Sequence, residues 1–215
     1  MEEKKISLDS ISEDWLEKNI FEEENKFYLF VKKIIDVVFG VVGFVLFIIL
    51  FPFLALAIKL DSGGSIIYKQ ERVGKNGRGF TLYKFRTMYE NKDNNQKVWR
   101  EKDRSNITRV GRVLRRSHLD ELPQAWNILK GDVSFVGPRA EWSELAGVFE
   151  KQIKFYKYRY LIKPGLIGWA QINFPPSRSI DEAKEKFEYD LFYIKNRSIL
   201  LDLEIILKSL KLFAW

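Results

Sequence analysis

The run Arg115-Arg116-Ser117-His118-Leu119-Asp120-Glu121-Leu122-Pro123 holds the densest chemistry in the chain. Two arginines lead into adjacent carboxylates at an expected helix start. An Asp carboxylate has a reference pKa of about 3.9, so at neutral pH it is ionised and needs no general base to attack an electrophile. The same residues have a structural reading. Asp ahead of Pro at a helix N-terminus is an ordinary cap, stabilising by about 0.5–2 kcal/mol. Standing alone, such a pair is more often a cap than a catalytic dyad.

Cations from other segments shift that balance. Lys84-Phe85-Arg86-Thr87-Met88 ends an expected strand with Lys84 and Arg86 on one face. The stretch Asp132-Val133-Ser134-Phe135-Val136-Gly137-Pro138-Arg139 delivers Arg139 from a rigid turn. Lys163-Pro164-Gly165-Leu166-Ile167-Gly168-Trp169-Ala170-Gln171 is a tight loop whose glycines let a ligand approach the backbone. Cations from separate segments beside one carboxylate pair suit a phosphate group. Arg116 and Gln171 complete the candidate substrate contacts. The glycines at 74, 77 and 79 are a weaker phosphate-loop signal, because no helix follows them, and they read as a turn.

Other chemistries are excluded or weakened. The chain has no cysteine, which rules out disulfides and cysteine-ligated metals, and its single histidine, His118, argues against a multi-histidine metal site. An Asp-x-Asp motif, common in metal-dependent enzymes that move a sugar alone, is absent.

These residues need elements to position them. Residues 1–30 hold nine Asp/Glu against four Lys, a net charge of −5, so the rest carries +12 within an overall +7. That rest attracts polyanions: nucleic acid, anionic lipid or phosphorylated small molecules. The acidic extension reads as a solvated tail with room for one short amphipathic helix near Trp15 and Leu16. Residues 34–58 form an apolar run of 25 residues whose only charge is Asp36, within one turn of Lys32 and Lys33. As a straight helix it would span roughly 37 Å against a hydrocarbon core of about 30 Å. Pro52 removes a hydrogen bond to the carbonyl of Ile48 and favours a bend. Basic residues flank both ends of the run. A hairpin entering and leaving by one membrane face fits these features, and so does a kinked spanning helix.

Beyond it, strands are expected over residues 65–72 and 79–86 around an Asn76-Gly77 turn. A polar loop or lid follows over 89–106. Helices are expected at 109–116, 120–130 and 140–160. The aromatic and basic residues of 153–163 and the apolar tail 199–215 suit helices in a membrane interface as well as they suit core packing.

The motifs KFRTM, RRSHLDELPQAWNILKGDVSFVGPR, KPGLIGWAQI and YDLFYIKNRSILLDLEIILKSL together resemble the bacterial sugar transferases, the monotopic phosphoglycosyl transferases. The resemblance covers roughly residues 30–210. It implies an α+β fold with an N-terminal re-entrant membrane helix broken at Phe51-Pro52, a small β-hairpin, and surrounding amphipathic and interfacial helices. The organisation is then an acidic extension (1–30), the re-entrant helix (31–60) and a catalytic domain (61–215) on the cytoplasmic face of a bacterial inner membrane. The implied reaction moves a sugar 1-phosphate from a nucleotide sugar, expected to be a UDP-sugar, onto polyprenyl phosphate. Asp120 maps onto the covalent nucleophile and Glu121 onto a residue that helps hold Mg²⁺. Lys84, Arg86 and Arg139 match the family's basic positions, and Asp190 and Asp202 match further acidic ones. Partners are the donor, the acceptor and membrane lipid, with no nucleic acid, and a homodimer is left open. His118 stands where the family usually has Ser or Thr, Ala140 where proline is usual, and residues 172–178 where a small-residue loop is common. These departures bear on the sugar and the donor contacts. A competing reading without the resemblance is a membrane-anchored basic protein that binds anionic lipid or nucleic acid without catalysis.

Overall fold

The computed structural model describes residues 4–20, 25–89, 106–175, 177 and 179–213. The expected lid over 89–106 lies outside the described residues except at its two ends. Helix α1 spans Glu13–Ile20, and the dominant element is α2, Lys26–Ser62. The Asn25 side chain caps α2 by accepting from the Phe27 and Tyr28 amides, and Gly63 ends it. Val38, Val42, Val45, Ile49, Phe53 and Leu56 are all exposed along it. An apolar surface of this length suits lipid rather than water, and the helix is long enough to cross a membrane. It starts before residue 31 and runs through Pro52 as one helical element, so it is not divided into two helices there.

The opposite face of α2 is packed. Gly40 and Gly43 admit helix α4, which spans Gln124–Lys130. A Cβ on Gly40 would sit 2.9 Å from Leu129 Cδ2, and one on Gly43 would sit 3.1 Å from the Ala125 Cβ. Asp36 does not spend its hydrogen bonds on the neighbouring lysines. Its Oδ1 accepts from Ser134 Oγ and the Phe135 amide, both at 2.8 Å. Lys32 reaches Asp202 Oδ2 at 2.8 Å and the Val136 carbonyl at 2.9 Å. Burying the helix against the domain made tertiary partners better than those one turn away.

Strands β1 (Ile67–Val73) and β2 (Gly79–Phe85) form the expected antiparallel hairpin, with Ile67 opposite Phe85. Asn76 and Gly77 take left-handed backbone, φ 57° and 74°, as an Asn-Gly turn requires. Helix α3 is Arg109–Arg116, capped by Thr108. The helix expected from 120 begins later. Leu119–Glu121 form a 3₁₀ turn after His118 adopts left-handed backbone, and α4 follows it, closed by Gly131 at φ 81°. A parallel pair, β3 (Ser134–Val136) with β4 (Gly165–Ile167), was not foreseen, since three residues carry no readable alternation.

The helix expected over 140–160 divides into α5 (Ser143–Gln152) and a 3₁₀ stretch, Tyr156–Leu161, because Ile153 turns extended and Phe155 left-handed. Tyr156, Arg159 and Tyr160 are buried, so this segment's aromatics serve the core and not a membrane interface. Helices α6 (Trp169–Asn173), α7 (Ile180–Asn196) and α8 (Ile199–Phe213) complete the chain. Along α8, Leu201 and Ile205 are buried while Leu200 and Leu207 stand exposed.

The acidic extension is not a solvated tail. Leu8, Ile11, Leu16 and Ile20 belong to the main core with Phe187, Leu191 and Ile194 of α7. The Leu8 amide donates to Glu188 Oε1 at 2.9 Å, and Trp169 Nε1 donates to the Lys4 carbonyl at 2.8 Å. Leu8, Ile11, Leu16 and Ile20 pack while Asp9, Glu13, Asp14 and Glu17 are exposed, so net charge was a poor guide to how this stretch is placed. A second cluster joins Ile58, Phe85 and Leu114 with Phe47 and Phe51, tying α2 to the hairpin and to α3.

Candidate active site

Asp120 sits in the 3₁₀ turn between α3 and α4, 8% exposed. The left-handed His118 reverses the chain after α3 and turns Asp120 inward instead of letting the helix continue. Asp120 therefore caps no helix, and its carboxylate accepts no hydrogen bond among the described residues. Burial pushes this carboxyl up, the neighbouring Glu121 charge adds to the effect, and Lys84, Arg115 and His118 pull against it without cancelling it. The low reference pKa of a free Asp is thus a poor guide to Asp120.

Glu121 is the opposite case. Lys84 Nζ donates to its Oε1 at 2.9 Å, and Arg139 Nη2 donates to the same oxygen. Burial alone would raise the Glu121 carboxyl, but Arg139 and Lys84 outweigh it and hold it well below the usual carboxylate range. Strand β2 supplies Lys84, the turn after β3 supplies Arg139, and the 3₁₀ turn supplies the carboxylates. Glu121 Oε2 receives no hydrogen bond among the described residues, so an oxygen ligand is open there. Mg²⁺ takes one or two carboxylates together with substrate phosphates, and this donor set fits that need. No cluster of three or more acidic, His or Cys side chains stands among the described residues, so a cage made by protein alone is not present there.

A cavity of about 530 Å³ opens beside Glu121, His118 and Arg139. It runs past Trp142, Gln171 and Phe174 to Arg159, Lys186 and Asp190. This is within the range of roughly 300–1,000 Å³ typical of small-molecule sites. Gln171 lines it and donates to the Leu166 carbonyl at 3.2 Å. Asp190 also lines it, with Oδ2 accepting from Arg159 Nε at 2.7 Å. Burial pushes the Asp190 carboxyl up, against the pull of Arg159 and Lys186. Glu141, which sequence reasoning missed, faces Arg159 at 3.4 Å and Lys186 at 3.1 Å. Nothing local marks it, since both partners lie far along the chain.

The other expected residues take no part in the hydrogen bonds to Glu121 among the described residues. Arg86 is buried and donates to Ser62 Oγ at 2.9 Å and to the Gly63 carbonyl, so it fastens the end of α2. Arg116 points outward, and Arg115 is the arginine whose charge reaches Asp120. Asp202 is fully buried, held by Lys32 and by the Tyr193 hydroxyl at 2.7 Å. Phe51 stacks toward Phe85 with ring centroids 6.1 Å apart, next to Pro52.

Known proteins resemble this arrangement in sequence. The chain is 40% identical over 184 residues to a UDP-N-acetylgalactosamine-undecaprenyl-phosphate N-acetylgalactosaminephosphotransferase of Aeromonas hydrophila, covering 86% of this chain and 44% of that protein. It is 36% identical over 190 residues to a UDP-glucose:undecaprenyl-phosphate glucose-1-phosphate transferase of Xanthomonas campestris pv. campestris, covering 86% and 39%. An uncharacterized sugar transferase of Bacillus subtilis, EpsL, is 41% identical over 155 residues, 72% of each chain. The chain spans less than half the length of the first two relatives. The model of the family described as Bacterial sugar transferase matches residues 27–215, which take in the dyad, its cations and the apolar helix; the chain belongs to that family.

Proposed function

We propose that this protein transfers a sugar 1-phosphate from a UDP-sugar to polyprenyl phosphate, through a covalent intermediate on Asp120. One observation carries the reading: a buried carboxylate without a hydrogen-bond donor among the described residues stands next to a second carboxylate already neutralised by Lys84 and Arg139. A desolvated, weakly bonded carboxylate is a better nucleophile than a solvated one, and cations beside it reduce repulsion from an anionic diphosphate. The first two relatives named above carry undecaprenyl phosphate and UDP-sugars in their names, which supports the same substrate classes for this chain.

In the first step an Asp120 oxygen attacks the sugar-bearing phosphorus. The bond from that phosphorus to the bridging oxygen breaks, and UMP leaves with the electron pair. In the second step a phosphate oxygen of the acceptor attacks the same phosphorus, which restores the Asp120 carboxylate and yields a sugar diphosphate lipid. Lys84 and Arg139 hold Glu121 ionised and present positive charge to the diphosphate. Glu121 would hold Mg²⁺ together with donor phosphate oxygens, and the ion when bound would screen charge that shifts to the leaving group. The cavity beyond Arg139 holds the donor's sugar and base.

The acceptor's phosphate lies at headgroup level. A re-entrant α2, bent at Pro52 and entering from the cytoplasmic face of the inner membrane, would keep Asp120 at that depth. Single cysteines at Lys33 and Leu60 in this cysteine-free chain test the path, and both should label from one side. Intact mass measurement of donor-treated enzyme tests the chemistry. Wild type should gain one sugar-phosphate at Asp120 and release UMP. Asp120→Asn should do neither, and an asparagine variant with normal turnover ends the proposal.

A further inference from the structure

We propose that Arg109, Arg112 and Arg116 on α3 form a docking strip for the headgroups of anionic phospholipids. The proposal rests on the membrane reading of α2. At spacings of three and four residues these side chains share one helix face, and all three are exposed. Val113, 66% exposed, stands among them. None of the three makes an ion pair among the described residues, and α3 contains no acidic residue. Like charges one turn apart repel, so this face is better suited to meeting external negative charge than to standing alone.

The opposite face fixes where the strip lies. Leu114 is buried with Ile58 of α2 and Phe85. The Val110 amide donates to Asp61 Oδ2 at 2.8 Å, in the last turn of α2. A Cβ on Gly111 would sit 2.1 Å from the Thr87 carbonyl oxygen, so α3 lies tightly on the end of the hairpin. Three guanidinium groups around an apolar residue, beside the end of a lipid-facing helix, match a surface of phosphate headgroups over acyl chain. Mixed apolar and cationic exposure favours this surface over a soluble polyanion. The strip ends two residues before His118, where the chain turns to carry Asp120 inward, so headgroup contact would hold that turn at the membrane surface.

The test places an environment-sensitive fluorophore on Val113→Cys in the full chain. The protein is reconstituted without acceptor lipid in nanodiscs of phosphatidylcholine with or without about 30% phosphatidylglycerol, an anionic surface like that of a cytoplasmic leaflet. Spin-labelled phosphatidylglycerol should quench the probe at least about fivefold more than spin-labelled phosphatidylcholine, since each surface arginine favours an anionic headgroup by about that factor. High salt should remove the preference. Arg109→Gln/Arg112→Gln/Arg116→Gln should remove it too, with thermal unfolding unchanged because the buried face is untouched. Equal quenching by the two lipids, or a preference that survives both treatments, overturns the proposal. A probe on Val42→Cys separates this from the underlying reading: if neither lipid quenches there, the membrane placement of α2 is wrong.

Discussion

Lys32 Nζ lies 2.8 Å from Asp202 Oδ2, joining the long apolar helix α2 to α8 through a pair whose side chains are 15% and 1% exposed. Tyr193 also donates to Asp202, and Lys32 also donates to the Val136 carbonyl. Removing one partner leaves the other charged and buried. Lys32→Met should therefore destabilise the protein by about 3–5 kcal/mol. A Lys32→Met/Asp202→Asn double variant should recover part of that loss. Thermal unfolding in detergent checks both. If the single variant melts with wild type, the pair does not hold α2 in place.

The dyad predicts a pH dependence with a definite sign. Attack needs ionised Asp120, and burial and Glu121 raise its pKa. The rate of the first step should fall on acidification at a pH above the ordinary Asp range of about 4. Lys84→Met removes a cation that stabilises the charge, so the acid limb should move to higher pH. Glu121→Gln removes the neighbouring negative charge, so whatever single-turnover rate remains should have its limb at lower pH. Measurement of the UMP burst against pH separates the two directions. Movement of both limbs the same way would contradict the electrostatic account of this pair.

How much of this was readable in the sequence depended on the range of the forces involved. Asn76-Gly77 announced its hairpin because a local backbone need selects those residues. Thr108 and Gly131 mark helix ends for the same reason. Asp120, Glu121, Lys84 and Arg139 were found as one group because each sits in a recognisable segment, and the fold joins three of them through one Glu121 oxygen. Distant partners were not readable: Arg86, expected as a phosphate contact, bonds Ser62 and Gly63 at the end of α2, and Asp202, expected near the site, pairs with Lys32. The turn at His118 was invisible, because left-handed backbone at a non-glycine residue is imposed by packing on both sides.

The network of Glu141, Arg159 and Lys186 in the cavity wall predicts acid sensitivity. Burial would raise the Glu141 carboxyl, but Lys186, Arg159 and Arg72 outweigh it and take it from 4.5 down to about 2. A folded pKa below the unfolded one gives stability that is full above pH 4.5 and is lost as pH falls toward 2. The full loss is on the order of 3 kcal/mol. Asp190 is shifted the other way and offsets part of it. Glu141→Gln should flatten the acid side of the stability curve. Denaturant midpoints across this pH window give the answer, and a variant as acid-sensitive as wild type would locate the loss elsewhere.

The N-terminal segment lies outside the matched residues 27–215, yet Leu16 is fully buried in the main core. Its neighbours include α7 and, through the Lys4 carbonyl, Trp169 at the start of α6. Helix α6 carries Gln171 to the cavity, so the segment supports one wall of that cavity. Leu16→Ala should cost about 2–5 kcal/mol, as deletion of a buried leucine side chain does. Because the segment shares its core with Phe149, Tyr156 and Phe187, which line the cavity, the variant should raise KM for the nucleotide sugar more than it lowers the kcat of the remaining folded enzyme. Glu17→Ala, on the outer face of the same helix, should change neither. Stability loss without any change in KM would reduce the segment to a packing element, and no loss at all would mean that it does not hold its place against α7.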